Sequence, residues 1–361
     1  MNPRQLYRRL QFERALFKKT SLSPEAAQDC IHTCHFQSAP SFSRQNTLHP
    51  EYDLMIVIPV YNAESYLEEC LDSVFAQQTR FRFCVVAVDD GSTDASGTIL
   101  ERYTFHENLR IIHQENRGYS GARNRALETI CGQYVMFVDS DDILPPNAVE
   151  ALMQPALQHD ADLVAGGYTR FSEHQTIETV QYSGTVCQVP SHTIPGYTCM
   201  KVIRAGLLEK FQFPVGFLFE DTVLSRLLFP LCQSAYTVPE IVYRYRVHPN
   251  SISASHHSQA RCIDTYWITK YCLEEAAHRG YPLDAVQYQQ YLHQCWVNFA
   301  RTRYLSQEIQ ESLFVLTRAL LAQYFPNQPP PSGRRFRMLH RAFRAGSYKA
   351  YLYVLRRWDV L

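Results

Sequence analysis

Between residues 54 and 142 the chain alternates four short apolar runs with helix-patterned stretches, and this alternation leaves few folds open to it. The runs are Leu54-Met55-Ile56-Val57-Ile58-Pro59-Val60, Phe83-Cys84-Val85-Val86-Ala87-Val88, Leu109-Arg110-Ile111-Ile112-His113 and Tyr134-Val135-Met136-Phe137-Val138. Their β-branched and aromatic content reads as buried strands of a parallel sheet. Between the first two, Tyr66, Leu67, Cys70, Leu71, Val74 and Phe75 fall at helical spacing. Two further helices read from ASGTILERYTF and from the stretch that runs through Ile130 and is ended by Gly132. Strand–helix alternation of this kind implies a parallel sheet with right-handed crossovers. Each run ends in a polar cluster: Tyr61-Asn62-Ala63-Glu64, Asp89-Asp90-Gly91-Ser92-Thr93-Asp94, Asn116 through Arg125, and Asp139-Ser140-Asp141-Asp142. Ligands of open α/β sheets collect outside the carboxyl ends of the strands, so the four clusters are expected to face one crevice.

The last cluster sets Asp139, Asp141 and Asp142 within four positions. Acids packed so closely repel one another unless a positive charge neutralises them, and Mg²⁺ or Mn²⁺ does so with carboxylates, water and substrate phosphates. A metal–diphosphate site at a strand end is one reading. An acidic turn capping the helix after Pro145-Pro146 is the other, and this stretch alone leaves both open.

Lys+Arg and Asp+Glu balance at 35 each, so no global field draws the chain to nucleic acid. Basic residues load both ends, from Arg4 to Lys19 and from Arg334 to Arg357. The tail Arg334 to Arg344 mixes arginines with bulky apolar residues, which suits either an anionic membrane surface or a helix packed on the protein with its arginines in water. The N-terminus lacks the apolar core of a secretory signal, and the scattered cysteines read mostly as small core residues of a reduced cytoplasmic protein. Cys30 and Cys34 share a helix face, but no second ligand pair at matching spacing makes a zinc site.

Residues 1–50 read as two short helices followed by a polar linker from Gln37 to Pro50, residues 51–255 as the α/β domain, and residues 256–361 as a helical, basic region rich in aromatics.

The runs Ile58-Pro59-Val60-Tyr61-Asn62, Val88 through Asp94, Asn116-Arg117-Gly118 with Ala122-Arg123-Asn124, and Phe137 through Asp142 resemble, in order and spacing, the successive signatures of family 2 glycosyltransferases. The resemblance covers roughly residues 53–255 and is nearest to bacterial enzymes that build lipopolysaccharide, capsule or other surface glycans. It implies the inverting GT-A architecture, a mostly parallel sheet flanked by helices with a Rossmann-like nucleotide half. It also implies a nucleotide-sugar site made of Pro59, Tyr61, Asn62, Glu64, Asp90, Gly118, Arg123, Asp139 and Ser140. Asp90 would take a hydrogen bond from uracil, Tyr61 would lie against the base, and Asp139 would sit near the ribose. Asp141 would bind Mg²⁺ or Mn²⁺, with Asp142 behind it, and Arg123 would meet the base or diphosphate.

Farther on, Glu220-Asp221 precedes an apolar helical stretch and resembles the family's catalytic-base position, with Asp221 the first choice and Glu220 the second. A carboxylate is needed there because an acceptor hydroxyl has a pKa far above 7. Arg244 or Arg246 would neutralise the leaving diphosphate, and His248 would complete the metal shell, in a closing segment that runs on to Ser253. The expected partners are a UDP sugar and a glycan or lipid-linked acceptor at the inner face of the cell membrane. Two rivals stand beside this reading. A nucleotidyltransferase would want a glycine-rich phosphate loop with a lysine near the first strand, which Pro59-Val60-Tyr61-Asn62 does not offer. An inactive glycan- or membrane-binding protein on the same fold is separated only by assay.

Overall fold

The four apolar runs become neighbouring strands. In the computed structural model, which describes residues 3–172, 175–248 and 259–358, they are β1 (Thr47–Val60), β2 (Phe83–Asp89), β3 (Leu109–His113) and β4 (Thr129–Phe137). The sheet continues through β5 (Leu163–Phe171), β6 (Thr176–Val180), β7 (Cys187–Gln188), β8 (Lys201–Arg204) and β9 (Ala235–Arg246). The strand order is β3-β2-β1-β4-β8-β5-β9-β7, with β6 paired to β5. β1 runs parallel to β2 and β4, and β2 to β3, as alternation requires. Beyond β4 the sheet is mixed, because β8 lies antiparallel to both β4 and β5. Leu54, Ile56, Ile58 and Val60 of β1 are buried with Leu67, Leu71 and Val74 of α3 (Leu67–Phe75) in one core. The crossovers are completed by α4 (Ser96–Arg102), α5 (Gly118–Leu127) and α6 (Ala148–Gln158), and the short α7 (Ala205–Leu208) follows β8.

Three local expectations change. β1 begins at Thr47, so the linker is shorter than Gln37–Pro50. Pro50 is tolerated because the pairing with β4 skips from Leu48 to Tyr52, a bulge where no ladder donor is needed. Gly132 does not end a helix. It lies inside β4, where a Cβ would sit 2.4 Å from the Met55 backbone nitrogen. The Gly132→Ala variant is therefore expected to lose about 1–3 kcal/mol through overpacking against a rigid strand, read as a lowered midpoint of thermal unfolding. The apolar stretch after Asp221 forms a π-helical turn, Leu224–Leu228, rather than a regular helix. Of the eleven cysteines, nine are free, while Cys84 and Cys131 are disulfide-bonded.

The chain divides into two compact units, Pro40–Ser251, and Met1–Ala39 with Ile252–Leu361. The N-terminal stretch thus folds with the C-terminal helices rather than as an extension of its own. This second unit contains α1 (Pro3–Leu16), α2 (Pro24–Cys34), α8 (Asp264–His278), α9 (Ala285–Thr302), α10 (Gln307–Tyr324), α11 (Arg334–Ala345) and α12 (Tyr348–Leu355). α2 lies along α10, and α1 along α12. The arginine-rich α11 buries Leu339, Ala342 and Phe343, with Phe343 stacked 5.4 Å from Phe314. Its apolar face is occupied by the protein, which favours the packed reading of this segment over the membrane one. Among the described residues no helix is long and apolar enough to cross a membrane.

Candidate active site

Parallel pairing aligns the carboxyl ends of β1, β2 and β4, so the loops that follow them meet. After β1, Asn62 adopts a left-handed backbone (φ 47°), which Asn tolerates better than most residues. Its Oδ1 accepts the Thr93 N–H at 2.8 Å, and its own N–H donates to Ser92 Oγ at 3.2 Å. Glu64 accepts the Ala95 N–H at 3.0 Å. Asn62 and Glu64, expected at a ligand, thus brace the loop after β2 with the hydrogen-bonding groups seen here. Pro59, also expected there, has its ring buried in β1, beyond the last residue that β4 pairs. Tyr61 is half exposed, with its ring available.

The loop after β2 turns at Gly91 (φ 74°), where a Cβ would press on the Asn116 nitrogen at 3.1 Å. This close approach seats Asp90 beneath the start of α5. Asp90 Oδ1 accepts the Gln114 amide at 2.6 Å and the Arg117 N–H at 2.8 Å, while Oδ2 is buried without a partner. Gln114 is a site residue that sequence reasoning missed, though it stands in the polar run that follows the third strand. Gly118 opens α5 with φ 71° and an empty space where its side chain would be.

Arg123 on α5 joins the two halves of the site. It is 4% exposed, and its guanidinium donates to Asp139 Oδ1 at 2.8 Å and to Glu220 Oε1 at 2.5 Å. Tyr119 and Phe213 rings lie 5.6 and 5.7 Å from it. With each terminal nitrogen donating to an acid, Arg123 bridges Asp139 and Glu220 in this structure. Burial pushes the Glu220 carboxyl upward, and Asp221 beside it adds to the rise, against the pull of Arg123. The residue before the pair, Phe219, is held at φ 64°, a conformation that costs an aromatic residue on the order of 1–3 kcal/mol and sets the direction of the acids that follow.

At the end of β4 the acids are held by β9. Tyr243 accepts the Asp139 N–H on its hydroxyl at 3.0 Å. Asp142 is buried and accepts the Arg246 N–H at 2.6 Å. Asp141 Oδ2 lies 2.9 Å from His248 Nε2, whose ring packs tilted against Tyr66 with centroids 4.8 Å apart. Burial and the neighbouring charges raise the carboxyls of Asp141 and Asp142. Arg246, expected at a diphosphate, is turned inward. Its Nε donates to the Asp141 carbonyl at 2.8 Å, its guanidinium pairs with Glu69, and it lies between the Tyr66 and Phe171 rings at 4.9 and 4.7 Å. Arg244 is exposed, over Phe171 at 4.5 Å, and has no ion-pair partner among the described residues. Ser140 sits half-buried between the acids. The expected closing stretch Pro249–Ser253 lies outside the described residues. Tyr66, Glu69 and Tyr243 carried no signal beyond ordinary helix and strand spacing, since only tertiary contact aims them at the site.

The site thus gathers strand-end acids, a buried arginine bridge and a second acid pair at one edge of the sheet. Residues 55–224 match the model for glycosyl transferase family 2. The chain is 30% identical over 245 residues to the uncharacterized glycosyltransferase EpsJ of Bacillus subtilis, a match that covers 63% of this chain and 70% of EpsJ. It is 32% identical over 218 residues to glycosyltransferase GlyA of Streptococcus pneumoniae, covering 55% of this chain but only 31% of GlyA's length. Among solved structures, S. aureus TarS 1–349 in complex with UDP-GlcNAc superposes with a TM-score of 0.68 at 21% identity, over 85% of this chain and 91% of that one. The chain belongs to glycosyl transferase family 2.

Proposed function

We propose that this protein moves a sugar from a nucleotide diphosphate donor, a UDP sugar, to a hydroxyl of a glycan or lipid-linked acceptor, with inversion, in the synthesis of a bacterial surface glycan. The observation that carries the reading is the Arg123 bridge, which ties the strand-end acid Asp139 to the Glu220-Asp221 pair. The two carboxylate groups that such a reaction needs, one near the donor and one near the acceptor, thereby share a single buried cation. Asp90 Oδ2, buried and unsatisfied, supports a donor with an N–H to offer, as uracil has. Asp221 takes the proton of the acceptor hydroxyl. The oxygen then attacks the anomeric carbon as the bond from that carbon to the diphosphate oxygen breaks on the opposite face.

Among the described residues no three His, Cys, Asp or Glu groups gather as a metal cage. The donors present are one carboxylate oxygen and one imidazole nitrogen, 2.9 Å apart on Asp141 and His248. Such a pair fits Mg²⁺ or Mn²⁺, which draw their remaining ligands from phosphate oxygens and water. Bound there, the ion would supply positive charge to the diphosphate as it leaves. The exposed Arg244 guanidinium is the side chain free to assist it.

Release of UDP from a panel of UDP sugars, with and without chelator, tests the reading. The Asp141→Ala variant should lose on the order of 10²-fold or more in rate, as expected when one preorganised electrostatic group is removed. Full turnover by Asp141→Ala would defeat the metal assignment. Failure to release nucleotide from any sugar, with or without added acceptors, would favour the inactive binding protein.

A further inference from the structure

The helical unit contains a cavity of about 330 Å³ with a lopsided charge, and nothing in the transferase reading uses it. Four cations line it: Lys18 and Lys19 from the turn after α1, Lys349 in the first turn of α12, and Arg356 just past the end of that helix. None of the four has an ion-pair partner among the described residues. The wall holds one acid, Glu311 of α10, and that carboxylate already accepts the Thr20 hydroxyl. Gln307, Gln310 and Tyr348 add polar groups.

The walls are fixed by buried hydrogen bonds rather than by the cations themselves. Ser347, fully buried, has the carbonyls of Ala15 and Lys18 at 2.7 and 2.9 Å to share its single hydroxyl proton, and its Oγ accepts the Ala350 N–H at 3.2 Å as the cap of α12. The Thr20 N–H donates to the Gly346 carbonyl at 3.0 Å. One serine thus straps the lysine turn to the start of the helix that carries Lys349. Gly346, at φ 65°, makes the corner: a Cβ there would press on the Arg318 guanidinium carbon at 3.1 Å. All four cationic side chains are exposed, so water screens their mutual repulsion, and what the hollow offers is a set of unpaired donors that a multiply charged anion with several acceptor oxygens can bridge. The hollow is of the size used for small ligands, large enough for more than one phosphoryl group.

We infer that this cavity is a binding site for a phosphate-bearing ligand, recognised by Lys18, Lys19, Lys349 and Arg356. The inference does not rest on the transferase reading of residues 40–251. The chemistry is common to a phospholipid headgroup and a soluble phosphate compound, and the experiment separates them.

The 361-residue protein is titrated with inorganic pyrophosphate by calorimetry at low salt in EDTA, which keeps a metal-dependent donor site out of the measurement. Saturable binding that weakens with added salt is expected. Charge reversal in Lys349→Glu/Arg356→Glu should weaken it on the order of tenfold or more, the usual scale for lost charge-assisted bonds. Lys349→Arg should retain binding, as should the control Lys210→Glu, whose exposed side chain lies outside the cavity. Circular dichroism verifies that the variants fold. In parallel, sedimentation with phosphatidylglycerol and phosphatidylcholine vesicles is measured. Capture by the anionic vesicles alone, abolished in the double variant, assigns a lipid headgroup. Pyrophosphate binding sensitive to the double variant, without vesicle capture, assigns a soluble phosphate compound. Absence of saturable pyrophosphate binding, or binding unchanged in the folded double variant, overturns the inference.

Discussion

Asp221→Asn is expected to lower kcat by roughly 10²–10⁴-fold, the usual contribution of a positioned general base, with little change in KM for the donor. Asn keeps the size and hydrogen-bonding shape of Asp but cannot take a proton. The Arg123–Glu220 pair does not depend on Asp221 and remains, so the thermal midpoint should stay close to that of the parent. Steady-state UDP release with saturating acceptor reads the effect. The comparison with Glu220→Gln carries the assignment. Glu220 is buried against Arg123, so its replacement should lower stability together with rate, whereas Asp221→Asn should lower rate alone. If Glu220→Gln lost activity at unchanged stability while Asp221→Asn kept it, the base would be Glu220.

Arg123→Met should be the most destabilising single change at the site. The guanidinium is 4% exposed and spans Asp139 and Glu220; methionine fills the space between Tyr119 and Phe213 but leaves two acids facing each other. Removing one partner of a buried ion pair typically costs about 3–5 kcal/mol, because the remaining charge has no compensation. Lysine should rescue little, since a point charge cannot fork to two carboxylates. The loss should deepen as pH rises. Burial already holds the Glu220 carboxyl above its ordinary value, and without Arg123 it rises further. The folded variant then binds more protons than the unfolded chain, so stability falls with pH across the interval between the unfolded and folded pKa values. Arg123→Met/Glu220→Gln should recover part of the loss by removing the unpaired charge. Urea or thermal unfolding from pH 5 to 8 measures all of this, and a pH-independent midpoint in Arg123→Met would contradict the bridge.

How much of this was legible beforehand follows the range of the interactions involved. Strand–helix alternation is local, so β1 to β4 and the shared end where their loops meet could be read from residue type alone. Strand limits were less legible. Pro50 reads as a linker residue until the bulge opposite β4 shows that no hydrogen bond is lost there, and Gly132 reads as a helix stop until β1 lies against it. Among site residues, Asp90 and the acids after β4 stood out because several carboxylates in a short run demand an explanation. Arg246 illustrates the opposite case. An arginine near a candidate phosphate site suggests phosphate, yet Glu69, 177 positions away, turns it inward. Arg123 and Glu220 are 97 positions apart, and no local pattern joins them.

By itself, then, the order of apolar runs and polar clusters determined that a parallel half-sheet would gather acids along one edge, because period and turn chemistry act within a few residues. Only the tertiary structure decided which charge meets which: the Arg123 bridge, the inward Arg246, the covered face of α11 and the cationic hollow beside α12. Ion pairs and burial depend on distances between segments far apart in the chain, and those distances exist only once the units have closed.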